Sequence, residues 1–199
     1  MVHGYHVIFG TYGFWLPNDP RGSWSEFVGA WQLVRFGRAT KTDSRRSVAA
    51  KHHDHNKRLN AKRSLKYPPV CFTGVQARAV ARGFGEYVKK SGAIIWACSI
   101  LPEHVHLVVG RYRLPVEHLV RLLKSEATLQ LKKESIHPLL AHASLNGSIP
   151  TPWEKRCWKV FLNQDAEVRR AIHYVENNPI KDNKPPQKWS FVTPFEGIV

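Results

Sequence analysis

An α+β fold is predicted by the order in which two hydrophobic periodicities alternate along the chain. Short apolar runs rich in β-branched and aromatic residues occur at 3–14, 93–101, 105–109 and 157–162 and read as strands. Amphipathic runs of helical period follow the first, third and fourth of them. Strand, helix, strand, strand, helix, strand is the split βαβ order of a ferredoxin-like antiparallel sheet with helices on one face, and here one further C-terminal helix follows. The 199 residues suit a single domain spanning 1–199, and 43% hydrophobic residues with 11% aromatics supply its core. That order by itself licenses no function.

Each element has its own signal. The opening strand is closed by LPNDPRGSWS, a dense turn sequence. Residues 35–66 then hold eleven Lys and Arg against Asp43 and Asp54, with few large apolar side chains. They are expected to form an exposed basic insertion, bounded at about 17–72. Thr73 and Gln76 make a capping-box pattern, after which Ala77, Val80, Ala81, Phe84 and Val88 recur at helical spacing until Gly92. Pro102-Glu103 marks the turn between the middle strands. A second helix starts at Pro115, with Val116, Leu119, Val120, Leu123, Ala127 and Leu131 as its stripe. Arg121 and Lys124 are expected on its exposed side. The last helix runs from about 163 to 178, with Val168, Ile172 and Val175 facing inward, and Pro179 is expected to stop it.

Charge narrows the partner. Thirty Lys and Arg against fifteen Asp and Glu give a formal net charge of +15 and a pI near 10.0. Such an excess suits a polyanion, since cationic surface gains free energy by releasing counterions from phosphate. The longest apolar stretch, 93–101, is far short of the ~20 residues a membrane span needs. MVHGYHVIFG has no basic region of a secretory signal. Cys71, Cys98 and Cys157 are scattered and not in CxxC pairs, which suits a reducing cytoplasm and argues against a cysteine zinc site. No GxxxxGK[ST] is present, so no nucleotide cofactor is expected.

Three residues or motifs stand out chemically. In LPEHVHLVVG, His104 and His106 lie two apart on a strand, which sends both imidazoles to one face and Val105 to the other. Two imidazoles on one face can hold a divalent metal. Alone, HxH is also what two histidines on a half-exposed strand look like. In the last helix, Tyr174 and Asn178 are four apart, so a phenol and a carboxamide share one side of the final turns. Separately, the first reads as a boundary residue and the second as a helix end before proline. The cluster His52-His53-Asp54-His55 sits in the most basic stretch and reads as a solvated loop. Gly83-Phe84-Gly85, inside a helix, is no phosphate loop.

HVH on a strand, followed about 70 residues later by YVENNPIK on a helix, resembles the IS200/IS605-like single-tyrosine HUH transposases, among them the REP-associated tyrosine transposases. The resemblance extends over GYHVIFGTYGFW, LPEHVHLVV, LLKSEAT, CWKVFLNQDAEV and the tail around Lys188-Trp189-Ser190. Two departures exist: residues 35–66 are longer than the family core needs, and NPIK is followed by Asp182-Asn183 rather than small apolar residues.

The resemblance implies that His104, His106 and Asn178 ligate Mg²⁺ or Mn²⁺ and that Tyr174 is the nucleophile, making the last helix catalytic. It implies single-stranded DNA, with a hairpin nearby, as substrate, and leaves open a homodimer with Tyr174 acting in cis or in trans. Tyrosine titrates near pH ~10, so Tyr174 needs a local cation or base to lose its proton. Attack would give a 5′-phosphotyrosine and a free 3′-OH, an ester that a second 3′-OH can reseal without ATP. Arg121 and Lys124 are expected phosphate contacts, and Trp15, Trp24 and Trp31 are either base-stacking platforms or packing residues of the insertion. A non-catalytic nucleic-acid-binding module on the same scaffold is the alternative, predicting salt-sensitive binding indifferent to chelators. A relaxase or replication initiator is a third, opposed by the late tyrosine and the short chain.

Overall fold

The computed structural model describes residues 1–17, 31–37 and 54–197. Strands β1 (Gly4–Gly10), β2 (Ile95–Ile100), β3 (His104–Gly110) and β4 (Trp158–Leu162) form one antiparallel sheet in the order β2-β3-β1-β4. The order is that of the predicted α+β, ferredoxin-like sheet. β1 lies centrally and pairs with β3 in register Ile8↔His106 and with β4 in register Ile8↔Trp158. The helices are α1 (Trp31–Val34), α2 (His55–Arg63), α3 (Gly74–Ser91), α4 (Val116–Lys133) and α5 (Asp165–Lys181).

Alternation along the strands assigns the two faces. Val7 and Phe9 of β1 and Val105, Leu107 and Val109 of β3 point to one side, where Val80 and Phe84 of α3 and Leu119, Leu123 and Ala127 of α4 cover them. Ala97, Val108 and Leu162 point to the other, against Val168, Ala171 and Val175 of α5. The sheet is therefore covered on both sides: the two connecting helices share one face, and the added C-terminal helix has the other.

α3 begins at the predicted capping box, with Thr73 accepting from the Gln76 amide and the Gln76 side chain accepting from the Thr73 amide. It ends where Gly92 takes a left-handed conformation at φ 68°. Gly83 is fixed by packing: a Cβ there would lie 2.6 Å from the Cα of Ala127 on α4. The contacting atoms, on Ala127 and Glu126, are all backbone, so none can swing aside. Gly83→Ala is expected to destabilise the protein by about 3 kcal/mol, the upper end of ordinary overpacking, measured by urea unfolding. A loss below ~0.5 kcal/mol would show that α3 and α4 part freely.

Two boundaries differ from expectation. α5 runs through Pro179 to Lys181 instead of stopping at Asn178. Proline removes only the bond from its own nitrogen, and a final turn is closed by the Asp182 amide donating to the carbonyls of Asn178 and Pro179. The segment expected to be an exposed basic insertion contains a helix in its described part. Asp54 caps α2 by accepting from the Lys57 amide, and Ala61 packs with Leu16 and Leu33 in a small cluster of its own. Its end, Val70 and Phe72, is buried in the main core. His52, His53, Trp24 and residues 38–53 lie outside the described residues, as does the side chain of Trp31. Among the described residues, no helix is long and apolar enough to cross a membrane.

Candidate active site

β3 begins at His104 because the turn before it is tied from two sides. The Phe72 amide donates to the Pro102 carbonyl at 2.7 Å, and the Thr11 amide donates to the Glu103 carbonyl at 2.8 Å. From there period two sends His104 and His106 to the α5 face, with ring centroids 4.9 Å apart, while Val105 enters the opposite core. The predicted placement holds. Phe14, in the turn after β1, stacks on the His104 ring at 4.8 Å.

Tyr174 reaches the same face from α5. Its ring meets that of His106 edge-on at a centroid distance of 5.6 Å. The helix brings further groups at its own spacing: Asn178 one turn on, and Lys181 two turns on, whose ammonium lies 4.6 Å from the Tyr174 ring centroid. Lys181 stands there because α5 continues past Pro179. Tyr174 is 42% exposed, so its hydroxyl-bearing ring is not sealed into the core.

The electrostatics follow from burial. His106 is 4% exposed, and desolvation, with the nearby His104, His6 and Lys181 adding to it, holds its pKa well below the usual imidazole range. It is therefore neutral at pH 7, the form that ligates metals. Desolvation and the charge of Asp182 raise the Tyr174 pKa, so the phenol is protonated at neutral pH. Asp182 occupies the position where the sequence departs from the resembled family, and its effect opposes ionisation. The Lys181 ammonium lies over the face of the Tyr174 ring, a cation–π contact.

The fit of a divalent ion rests on the donors. Asn178 is 8% exposed, and its Nδ2 is buried without a hydrogen-bond partner among the described residues. Turning the amide by 180° leaves its shape unchanged and puts Oδ1 in that buried position, an acceptor with no donor, as a cation ligand requires. Two imidazoles and an amide oxygen suit Mn²⁺ better than Mg²⁺. Among the described residues no three His, Cys, Asp or Glu side chains gather into a metal cluster.

The predicted phosphate contacts do not join this site. Both lie on α4, on the sheet's opposite face. Arg121 is exposed, with its guanidinium 2.8 Å from His118 Nε2. Lys124 is a correction: instead of facing solvent it is 8% exposed, donates to the carbonyls of Glu154 and Arg156 at 2.8 and 3.0 Å, and lies 4.8 Å from the centre of the Phe9 ring. An ammonium on a long apolar stem satisfies the backbone of 154–156 without leaving the core. Trp15 is half-buried, packed edge-on against Phe14 at 4.5 Å.

Burial lowers the Lys124 pKa to about 8. The unfolded chain then holds a proton that the folded chain has released between pH about 8 and 10.5, so stability rises with pH across that window. Relative to Lys124→Met, the wild type is expected to gain on the order of 3 kcal/mol there, in urea unfolding at stepped pH. Parallel profiles would contradict it.

Sequence reasoning missed His6. It lies on the α5 face of β1, diagonal to His106 in the β1–β3 register. Its Nε2 is 3.1 Å from His106 Nδ1, and its ring meets that of Tyr174 at 5.6 Å. A lone polar residue in the apolar run GYHVIFG was the signal, but its partner depends on strand pairing.

No protein-family model matches the chain, and no curated protein does. Among solved structures, a REP-associated tyrosine transposase bound to a REP hairpin is similar at a TM-score of 0.48 and 12% identity, over 95% of this chain and 74% of that one. A candidate transposase from Deinococcus radiodurans R1 is similar at 0.41 and 13%, over 89% and 91%.

Proposed function

We propose that the chain is a metal-dependent single-strand DNA transesterase of the transposase type, with Tyr174 as nucleophile and His104, His106 and Asn178 as metal ligands. The observation that carries the reading is the meeting of Tyr174 with His106 of the HxH pair: helix and strand, about 70 residues apart in sequence, bring these two rings within 5.6 Å on one sheet face. The motif resemblance supports it, and so does the net charge of +15.

In the proposed reaction the Tyr174 proton leaves and the phenolate oxygen attacks a DNA phosphorus. The P–O3′ bond breaks, the 3′ oxygen takes up a proton, and the 5′ phosphate stays on tyrosine as a diester. A second 3′-OH reverses the step, so the bond energy is kept and no ATP is needed. A divalent ion held by the three ligands would supply charge neutralisation at the phosphate. Lys181, whose ammonium lies over the ring, is the proposed cation for the phenolate, and the half-exposed position of Tyr174 leaves room for a strand. Single-stranded DNA with an adjacent hairpin is the proposed substrate.

The test is incubation of labelled single-stranded DNA, from the flanks of the gene and from a randomised pool, with protein and Mn²⁺. A covalent DNA–protein band on a denaturing gel, lost in EDTA, is expected. Tight binding that is indifferent to EDTA, with no band from either DNA, would instead support a binding module.

A further inference from the structure

We infer that His6 is a positioning residue that accepts a hydrogen bond from His106 Nδ1–H and so presets the His106 tautomer with its Nε2 lone pair free for a metal. The inference rests on the proposed role of His106. Its ground is the 3.1 Å separation between His6 Nε2 and His106 Nδ1. A neutral imidazole has one N–H and one lone pair. With Nδ1 facing His6, ligation by His106 must use Nε2, and Nε2 has a lone pair only when the proton is on Nδ1. That proton then points at His6 Nε2, which must be the acceptor. The opposite polarity, with His6 donating, puts a proton on His106 Nε2 and closes it to a cation.

The surroundings favour a fixed pair. The rings are stacked at 5.4 Å with an interplanar angle of 26°, and neither strand can slip, because β1 is held on both edges by β3 and β4. Tyr174 lies edge-on to both rings, at 5.6 Å from each. His6 therefore sits behind the proposed ligand and beside the proposed nucleophile. Partners of this kind orient a ligating histidine and raise its basicity.

Two readouts independent of DNA cleavage test it. In metal-free, ¹⁵N-labelled protein, the His106 ring nitrogens are expected to show the proton on Nδ1 in wild type and a shift of population to Nε2–H in His6→Leu. Mn²⁺ titration followed by electron paramagnetic resonance is expected to show binding weakened about 10–100-fold in His6→Leu. His6→Gln, which keeps an acceptor oxygen, should recover much of that loss. Leucine fills the space without accepting, so unchanged Mn²⁺ affinity in His6→Leu would reduce His6 to packing and overturn the inference. A wild-type His106 protonated on Nε2 would overturn it as well. If both readouts hold while no covalent adduct forms with any DNA, the transesterase reading fails and the His6 assignment stands.

Discussion

Tyr174→Phe is expected to fold, bind Mn²⁺ and bind single-stranded DNA as wild type does, yet to form no covalent adduct. The substitution removes one oxygen from a side chain that is 42% exposed, so little packing changes. The ring keeps its edge contacts with His6 and His106 and its cation neighbour Lys181. What it loses is the atom proposed to bond to phosphorus. Loss of a nucleophile lowers the rate on the order of 10⁴-fold or more, below the detection limit of a gel. Adduct formation at more than about a tenth of the wild-type level would remove Tyr174 from the role, and the described tyrosines elsewhere would have to be searched for the bonded residue.

His106→Ala carries the second large effect. The imidazole is nearly buried between β1 and α5 and neutral through desolvation, so it is ready to ligate without first losing a proton. Removing this proposed ligand should weaken Mn²⁺ binding by more than the ~10–100-fold that outer partners contribute, and cleavage should fall at least in parallel. Isothermal titration with Mn²⁺ and the adduct assay, run on one preparation, check both. Because alanine also leaves a cavity, His106→Gln serves as a companion of similar size. Cleavage that survives in both variants would contradict a metal-assisted step.

The sheet was legible because each strand is short, apolar and bounded by turn residues, and because buried helices repeat their stripes cleanly. All six stripe residues named for α4 are buried, and the capping box at Thr73 and the stop at Gly92 stand where local chemistry puts them. Period two likewise placed His104 and His106 on one face before any pairing was known. Helical spacing placed Tyr174 and Asn178 together.

What escaped the sequence depends on tertiary partners. Lys124 read as a surface cation because its charge was weighed and its reach was not; only the carbonyls of Glu154 and Arg156, about 30 residues on, explain its burial. Pro179 read as a stop, since the helix closes over it by bonds the sequence does not announce. His6 and Phe14 join the site through strand register and a turn, neither visible in a linear pattern. Composition also hid α2: its Lys and Arg concealed a capped helix behind what looked like a charge run.

The most direct measurement is to digest the wild-type adduct with protease and nuclease and locate the nucleotide by tandem mass spectrometry. The account predicts a single modified peptide containing HYVENNPIK, with a 5′-linked nucleotide phosphate on Tyr174. A nucleotide on any other residue, or a 3′ linkage, would contradict it.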